Sequence, residues 1–267
     1  MTICIAALCE GGSALVLAAD RAITSNLSIE FEHPGKKMTQ LSDSCYALTA
    51  GDALASTELF GIVQDEIAIH KAPSINEVVS KIKECYQMRR KYEIIENFLI
   101  PRGFGSFDEY YQAQKHLFPD LALAIQNQID NYDYGLQLLI AGVDKKRAHI
   151  YEIIDPGTSR CFDAMGYHAI GSGLPHAMYT FISRNCNQDM PLSEVLLITY
   201  EAKKMAERAP GVGSNITDIC VMDSNQTSLF SNEQIKRLNQ IYNARVELDP
   251  IWKENIKSFI DELVKRE

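Results

Sequence analysis

The sequence holds no stretch near the ~18 consecutive apolar residues that a membrane-spanning helix needs, and it carries one tryptophan in 267 residues. No basic segment precedes the first apolar run, and Asp20 and Arg21 follow the second, so a signal peptide is not expected. Basic residues are in deficit: 26 Lys and Arg face 35 Asp and Glu, for a net charge of −9. That balance opposes phosphate-driven binding to nucleic acid. The seven cysteines, at 4, 9, 45, 85, 161, 186 and 220, form no CxxC pair. Their odd number and irregular spacing describe reduced, structural thiols in a cytoplasmic protein rather than a disulfide framework. The six histidines lack metal-ligand spacing, and no P-loop, HExxH or GxSxG occurs. "GFGSF" around Gly103 does not join a strand to a helix, so it is no dinucleotide fingerprint. Neither a metal nor a cofactor is expected.

What is present is ordinary globular composition, 46% hydrophobic and 23% charged, at a length that builds its own core. The apolar pattern starts at once. Ile3–Leu8 and Ala14–Ala19 read as strands split by "CEGGS", where Gly11-Gly12 signals a hairpin. Residues 30–41 add a strand after a Pro-Gly turn, and Cys45–Thr49 another. Helical spacing of Leu54, Leu59, Ile62, Val63, Ile67 and Ile69 predicts a helix over 53–71. Ser74 and Glu77 form a capping box that opens a second helix with Val78, Val79, Ile82 and Tyr86 on one face. Residues 93–131 read as a broken helical insertion. "YGLQLLIAGVDKKRAHIYEIID" is two strands around a Val143–Arg147 turn, and "PGTSRCFDAMGYHAIGSG" continues in strand. Helices follow at 175–184 and 193–208, then a strand at 216–223 and a charged helical tail over 231–267. Strands come in blocks, with helices in pairs between them. That argues for antiparallel sheets with helices packed outside, and against a doubly wound parallel sheet.

Three residue types at the start of the chain carry chemistry. Removal of Met1 by methionine aminopeptidase, which a small second residue permits, would leave Thr2 with a hydroxyl and a free α-amine. Such an amine titrates near pH 7.7–8.0, about where a neutral fraction can act as base for its own hydroxyl. Lys37 near that amine would hold it neutral by like-charge repulsion. Asp20, at the end of "LVLAAD", could orient Lys37 by an ion pair. Glycine turns in "TAGDA" and "GSG" sit at strand-to-helix junctions, where an amide N–H can stabilise an oxyanion. Each feature alone has a plainer explanation: a common second residue, a solvated Lys-Lys hairpin, a strand-end acid, an ordinary turn.

Their order and spacing resemble the proteasome-type β-subunits of the N-terminal-nucleophile (Ntn) hydrolase superfamily. The matching pieces are the early Thr, "VLAADRAIT", a "GKK" lysine 14 residues before Gly51, "LLIAGVD", and "HAIGSG" leading into a helix. The resemblance covers residues 2–92 and 133–223. It implies an α+β fold, a four-layer αββα sandwich with two antiparallel sheets between helix pairs. The domain would span 1–225, with the 93–131 insertion and a helical extension over 226–267. The implied activity is that of a threonine endopeptidase in a homo-oligomeric ring or ring-like assembly, acting on peptides or unfolded protein. Thr2 resembles the nucleophile, Lys37 the lysine that tunes it, Asp20 the acid that holds the lysine, Gly51 the oxyanion amide, and Ser172 the serine beside the terminal amine. The pocket ahead of the cleaved bond would be lined by Ile23, Gly35, Thr49, Ala53 and Thr57. None of these is charged, so Leu, Tyr or Phe is expected there rather than Arg or Glu.

The sequence also departs from the family. Ala209-Pro210 stand where an acid is expected in the loop after the second C-terminal helix, and Glu207 is the acid that could substitute. Two other readings stay open: a catalytically inactive scaffold subunit, and a small-amide hydrolase of the same superfamily.

Overall fold

The computed structural model describes residues 2–24, 30–32, 35–68, 73–145 and 147–247. Met1, four short internal stretches and residues 248–267, the last part of the expected tail helix, lie outside them.

The first strand, β1 (Cys4–Cys9), is buried along its whole length. It runs into a 3-10 turn at Glu10–Gly12, where three successive residues take positive φ. The two glycines make that turn accessible. The chain returns as β2 (Ala14–Asp20), paired antiparallel from Cys9↔Ala14 to Cys4↔Ala19. Then come β3 (Ala22–Thr24), β4 (Glu30–Glu32), β5 (Met38–Ser42) and β6 (Cys45–Gly51). Two helices follow, α1 (Ala53–Ala68) and α2 (Ile75–Ile94). Ser74 caps α2 in the expected box: its hydroxyl accepts from the Glu77 N–H, and the Glu77 carboxylate accepts from the Ser74 N–H at 2.7 Å.

A π-turn (95–99) and a short 3-10 turn break the helix beyond α2. Two further helices, α3 (Phe107–Ala113) and α4 (Pro119–Asp130), complete the insertion. Ile94, Leu99, Tyr110, Ile125 and Ile129 give it a small core of its own. The second half adds β7 (Leu136–Asp144), β8 (Arg147–Ile154), β9 (Thr158–Cys161), β10 (Tyr167–Ile170), α5 (Leu174–Ser183), α6 (Leu192–Ala206), β11 (Thr217–Asp223), β12 (Thr227–Leu229) and α7 (Asn232–Glu247).

The strands form two five-stranded antiparallel sheets, ordered β10-β1-β2-β11-β12 and β5-β6-β7-β8-β9, with β3-β4 as a separate pair. Period-two alternation splits β1 between two cores. Cys4, Ala6 and Leu8 face the second sheet, against Leu48, Leu139 and Ile150. Ile3, Ile5 and Ala7 face α5 and α6, against Phe181, Val195 and Ala202. On the far side, α1 and α2 cover the second sheet through Leu59, Val63, Val78 and Ile82. The order helices, sheet, sheet, helices is the αββα sandwich. Strands in its middle have no solvent face, which is why β1 reads as an unbroken apolar run.

Three local expectations are corrected. Residues 158–170 are not one continuing strand: β9 pairs with β8 in one sheet, and β10 pairs with β1 in the other. Gly166, at φ +81, sits in the crossing between the sheets. The 30–41 segment carries two strands, β4 before the Pro-Gly and β5 after it. Asp144 pairs with Arg147, so the β7–β8 turn is tighter than the pattern suggested. The short β12 had no counterpart in the sequence reading.

Phe181 tests the packing of the α5/α6 layer. It is fully buried and stacks on Tyr167, with ring centroids 4.7 Å apart. Phe181→Ala is expected to destabilise by about 3–5 kcal/mol. Phe118→Ala, at a position 82% exposed, is expected to change stability by less than about 0.5 kcal/mol. Urea midpoints at unchanged m-value measure both.

Candidate active site

Asp20 ends β2 with its carboxylate wholly buried. A buried carboxylate must be met by donors, and here they come from four segments. Oδ1 accepts from the Ile3 N–H at 2.9 Å and from Lys37 Nζ at 2.8 Å. Oδ2 accepts from the Ala22 N–H at 3.0 Å and the Gly213 N–H at 2.9 Å. The ammonium of Lys37 also donates to Thr2 Oγ1 at 2.7 Å. Thr2, Lys37 and Asp20 therefore form one continuous hydrogen-bonded line.

Ser172 completes the cluster. The Thr2 nitrogen donates to Ser172 Oγ at 3.3 Å, and the Gly173 N–H donates to the Thr2 carbonyl at 3.2 Å. The turn that brings Ser172 there depends on Gly171, at φ +92. A Cβ on it would lie 2.4 Å from the Thr2 carbonyl oxygen. Gln137 on β7 accepts from the Gly171 N–H at 3.2 Å and ties the second sheet to this turn. Sequence reasoning had not singled it out.

Gly51 closes β6 across from these groups. The Thr49 N–H donates to the Lys37 carbonyl at 3.1 Å, whereas the Asp52 N–H turns to the Gly135 carbonyl at 3.2 Å. Strand alternation therefore directs the Gly51 N–H to the same side as that of Thr49, the side of Lys37. Its φ of +108 and a 1.9 Å approach of the Gly135 carbonyl oxygen to a hypothetical Cβ require glycine.

Of the expected pocket residues, Ile23 and Thr49 are half-buried, and Gly35, Ala53 and Thr57 are exposed. Thr57 Oγ1 donates to the Ala53 carbonyl at 2.9 Å, so these two stack on the first turns of α1. Asp52 caps that helix: its Oδ1 accepts from the Leu54 and Ala55 N–H groups at 2.8 and 3.1 Å. Glu207 is not beside Thr2 as a substitute acid. It lies at the end of α6, with Lys203 on one carboxylate oxygen and Lys204 on the other. Ala209 and Val212 of the same loop are buried in the helix layer.

Residues 107–222 match the family model described as proteasome subunit. Through this stretch the chain is similar to the proteasome subunit family. The match runs from α3 into β11 and takes in Ser172 and Gly213. Thr2, Asp20, Lys37 and Gly51 lie ahead of it and are joined to it by the contacts above. No curated protein matches the chain. The two sheets between helix pairs agree with the family's sandwich. Among the described residues there is no cluster of His, Cys, Asp and Glu that could hold a metal, and no helix long and apolar enough to cross a membrane.

Two glycines give opposite expectations. Gly51→Ala is expected to destabilise by about 1–3 kcal/mol through the clash with Gly135. Gly61 sits in α1 with nothing within 4 Å of an added Cβ, so Gly61→Ala is expected to stabilise by about 0.4–1 kcal/mol. Thermal unfolding of both variants measures the two signs.

Proposed function

We propose that this proteasome-family chain is a threonine-type peptidase whose nucleophile is Thr2, exposed as the N-terminal residue once Met1 is removed. One observation carries the reading: Lys37 Nζ lies 2.7 Å from Thr2 Oγ1 and 2.8 Å from a fully buried Asp20 carboxylate. An ammonium held against a hydroxyl lowers the cost of an oxyanion on that hydroxyl.

In the proposed reaction the Thr2 amine takes the proton from Oγ, and Oγ attacks the carbonyl carbon of the substrate. The resulting oxyanion is met by the Gly51 N–H. Collapse breaks the C–N bond, and the proton held by the Thr2 amine passes to the departing amine. The acyl group remains on Thr2 as an ester. Water then attacks that ester with the Thr2 amine again as base, and Oγ regains its proton as the acid leaves. Ser172, hydrogen-bonded to the Thr2 nitrogen, orients the base.

The substrate class follows from the proposed lining by Ile23, Gly35, Thr49, Ala53 and Thr57, which offers no charge. The adjacent Asp52 carboxylate already accepts from the Leu54 and Ala55 N–H groups. Leu, Tyr or Phe ahead of the cleaved bond is thus favoured over Arg or Glu. The family supports assembly into an oligomeric ring. The inactive-subunit reading draws on Ala209-Pro210, which stand where an acid is expected in the loop after α6.

Intact-mass measurement after a threonine-directed covalent inhibitor decides between them. One adduct on Thr2, with Thr first in N-terminal sequencing, is expected of the peptidase. An unlabelled chain that retains Met1 would establish the inactive subunit. Thr2→Ala is expected to lower fluorogenic peptide turnover by about a thousandfold or more. Lys37→Ala is expected to cost about a hundredfold or more. Lys36, which is exposed, is expected to be dispensable. A required Lys36 and a dispensable Lys37 would reverse the assignment.

A further inference from the structure

A second lysine lies behind the site. Lys203, on α6, is fully buried. Its Nζ donates to the Gly213 carbonyl at 3.0 Å and to Glu207 Oε1 at 2.6 Å. The N–H of the same Gly213 donates to Asp20 Oδ2. Gly213 is packed so closely that an added Cβ would meet Ala22 Cβ at 3.0 Å and Asp20 Oδ2 at 3.1 Å. One glycine residue is thus gripped from both sides, by a buried ammonium at its carbonyl and a buried carboxylate at its amide.

An ion pair at a helix end does not by itself call for this arrangement. Glu207 already has Lys204 on its other oxygen, from a partly exposed position. A lysine that only neutralised Glu207 or the helix terminus would do so from the surface, without the cost of dehydrating an ammonium. Burial draws the Lys203 pKa below its ordinary value, and the Glu207 carboxylate acts against that shift. The buried ammonium is instead aimed at the carbonyl of Gly213, whose amide holds Asp20. The loop it grips is also the loop that lacks an acid of its own.

We propose that Lys203 is a positioning residue of the Thr2 site: it fixes the Gly213 segment, which fixes Asp20, which sets Lys37 against Thr2 Oγ1. The proposal rests on the peptidase reading above. The charged groups around Lys203 are Glu207 and Lys204 at the end of α6 and Asp20 on β2.

The test is the rate of covalent labelling of Thr2, resolved into a maximal rate and an apparent affinity, in variants of the full chain. Lys203→Met keeps the length and removes the donor. Lys203→Gln keeps a donor on a shorter arm. Packing alone would favour Met over Gln in a buried apolar setting, in both stability and rate. Positioning reverses the order for rate. The expected result is a maximal labelling rate at least tenfold lower for Lys203→Met, with less loss for Lys203→Gln and apparent affinity unchanged within twofold. Val195→Ala, which leaves a cavity in the same helix layer, is expected to lower stability and not this rate.

If Lys203→Met does not fold, Gly213→Ala displaces the same segment from Asp20 and is expected to lower the maximal rate in the same way. Wild-type rates in the Lys203→Met chain, or in Gly213→Ala where that chain fails to fold, would overturn this proposal alone. So would rates that follow the order of melting temperatures. Absence of any label on wild-type Thr2 would overturn the peptidase reading, and this proposal with it.

Discussion

The structure around the candidate site depends on one buried carboxylate. Asp20 has no solvent to satisfy it, so its two oxygens need protein donors. Those donors are the amides of Ile3, Ala22 and Gly213 and the ammonium of Lys37. They pin, in turn, the entry to β1, the start of β3, the loop after α6 and the segment before β5. Remove any one and a charge is left incompletely paired in the interior, a defect far costlier than the loss of a surface ion pair. The site is therefore not an ornament on the fold. Its geometry and the closure of the sandwich are held by the same hydrogen bonds.

The sandwich explains why such chemistry can sit at the start of a chain. Chain ends are ordinarily loose. Here β1 lies between β2 and β10 in its own sheet, with apolar layers above and below. Its first residues are fixed by that packing. Gly171 lets the β10–α5 turn approach the Thr2 carbonyl to a distance that a side chain would forbid, and Gly173 lets the same turn pack against Ile3 and Ala206. The result is a hydroxyl held beside an ammonium, the preorganisation that the proposed reaction calls for.

Much of this was legible in the chain. The apolar run that starts at Ile3, the Gly11-Gly12 hairpin and the Ser74–Glu77 box are local patterns with local causes, and each took the form its residues predict. Strands in blocks with helices in pairs pointed to the layered sandwich. Thr2, Asp20, Lys37 and Ser172 were recognisable because their order and spacing resemble a known family, not because any one of them is distinctive. The structure links those four in series, Ser172 to Thr2, Thr2 to Lys37 and Lys37 to Asp20.

What the sequence determined by itself was period, punctuation and spacing: which stretches alternate, where turns fall, and which reactive side chains lie a fixed number of residues apart. It could not determine which sheet a strand joins, because pairing is a contest among distant partners. That is why 158–170 read as one strand and folds as two, in different sheets. Nor could it assign Glu207, whose partners Lys203 and Lys204 claim it only once α6 has formed. Lys203 did leave a trace: helical spacing from Val195 and Thr199 puts it on the buried face of α6, an odd place for an ammonium. Its purpose, however, depends on Gly213 and Asp20, which are 193 residues apart in the chain. Only the closed tertiary structure, by excluding water from all three, makes that contact decisive.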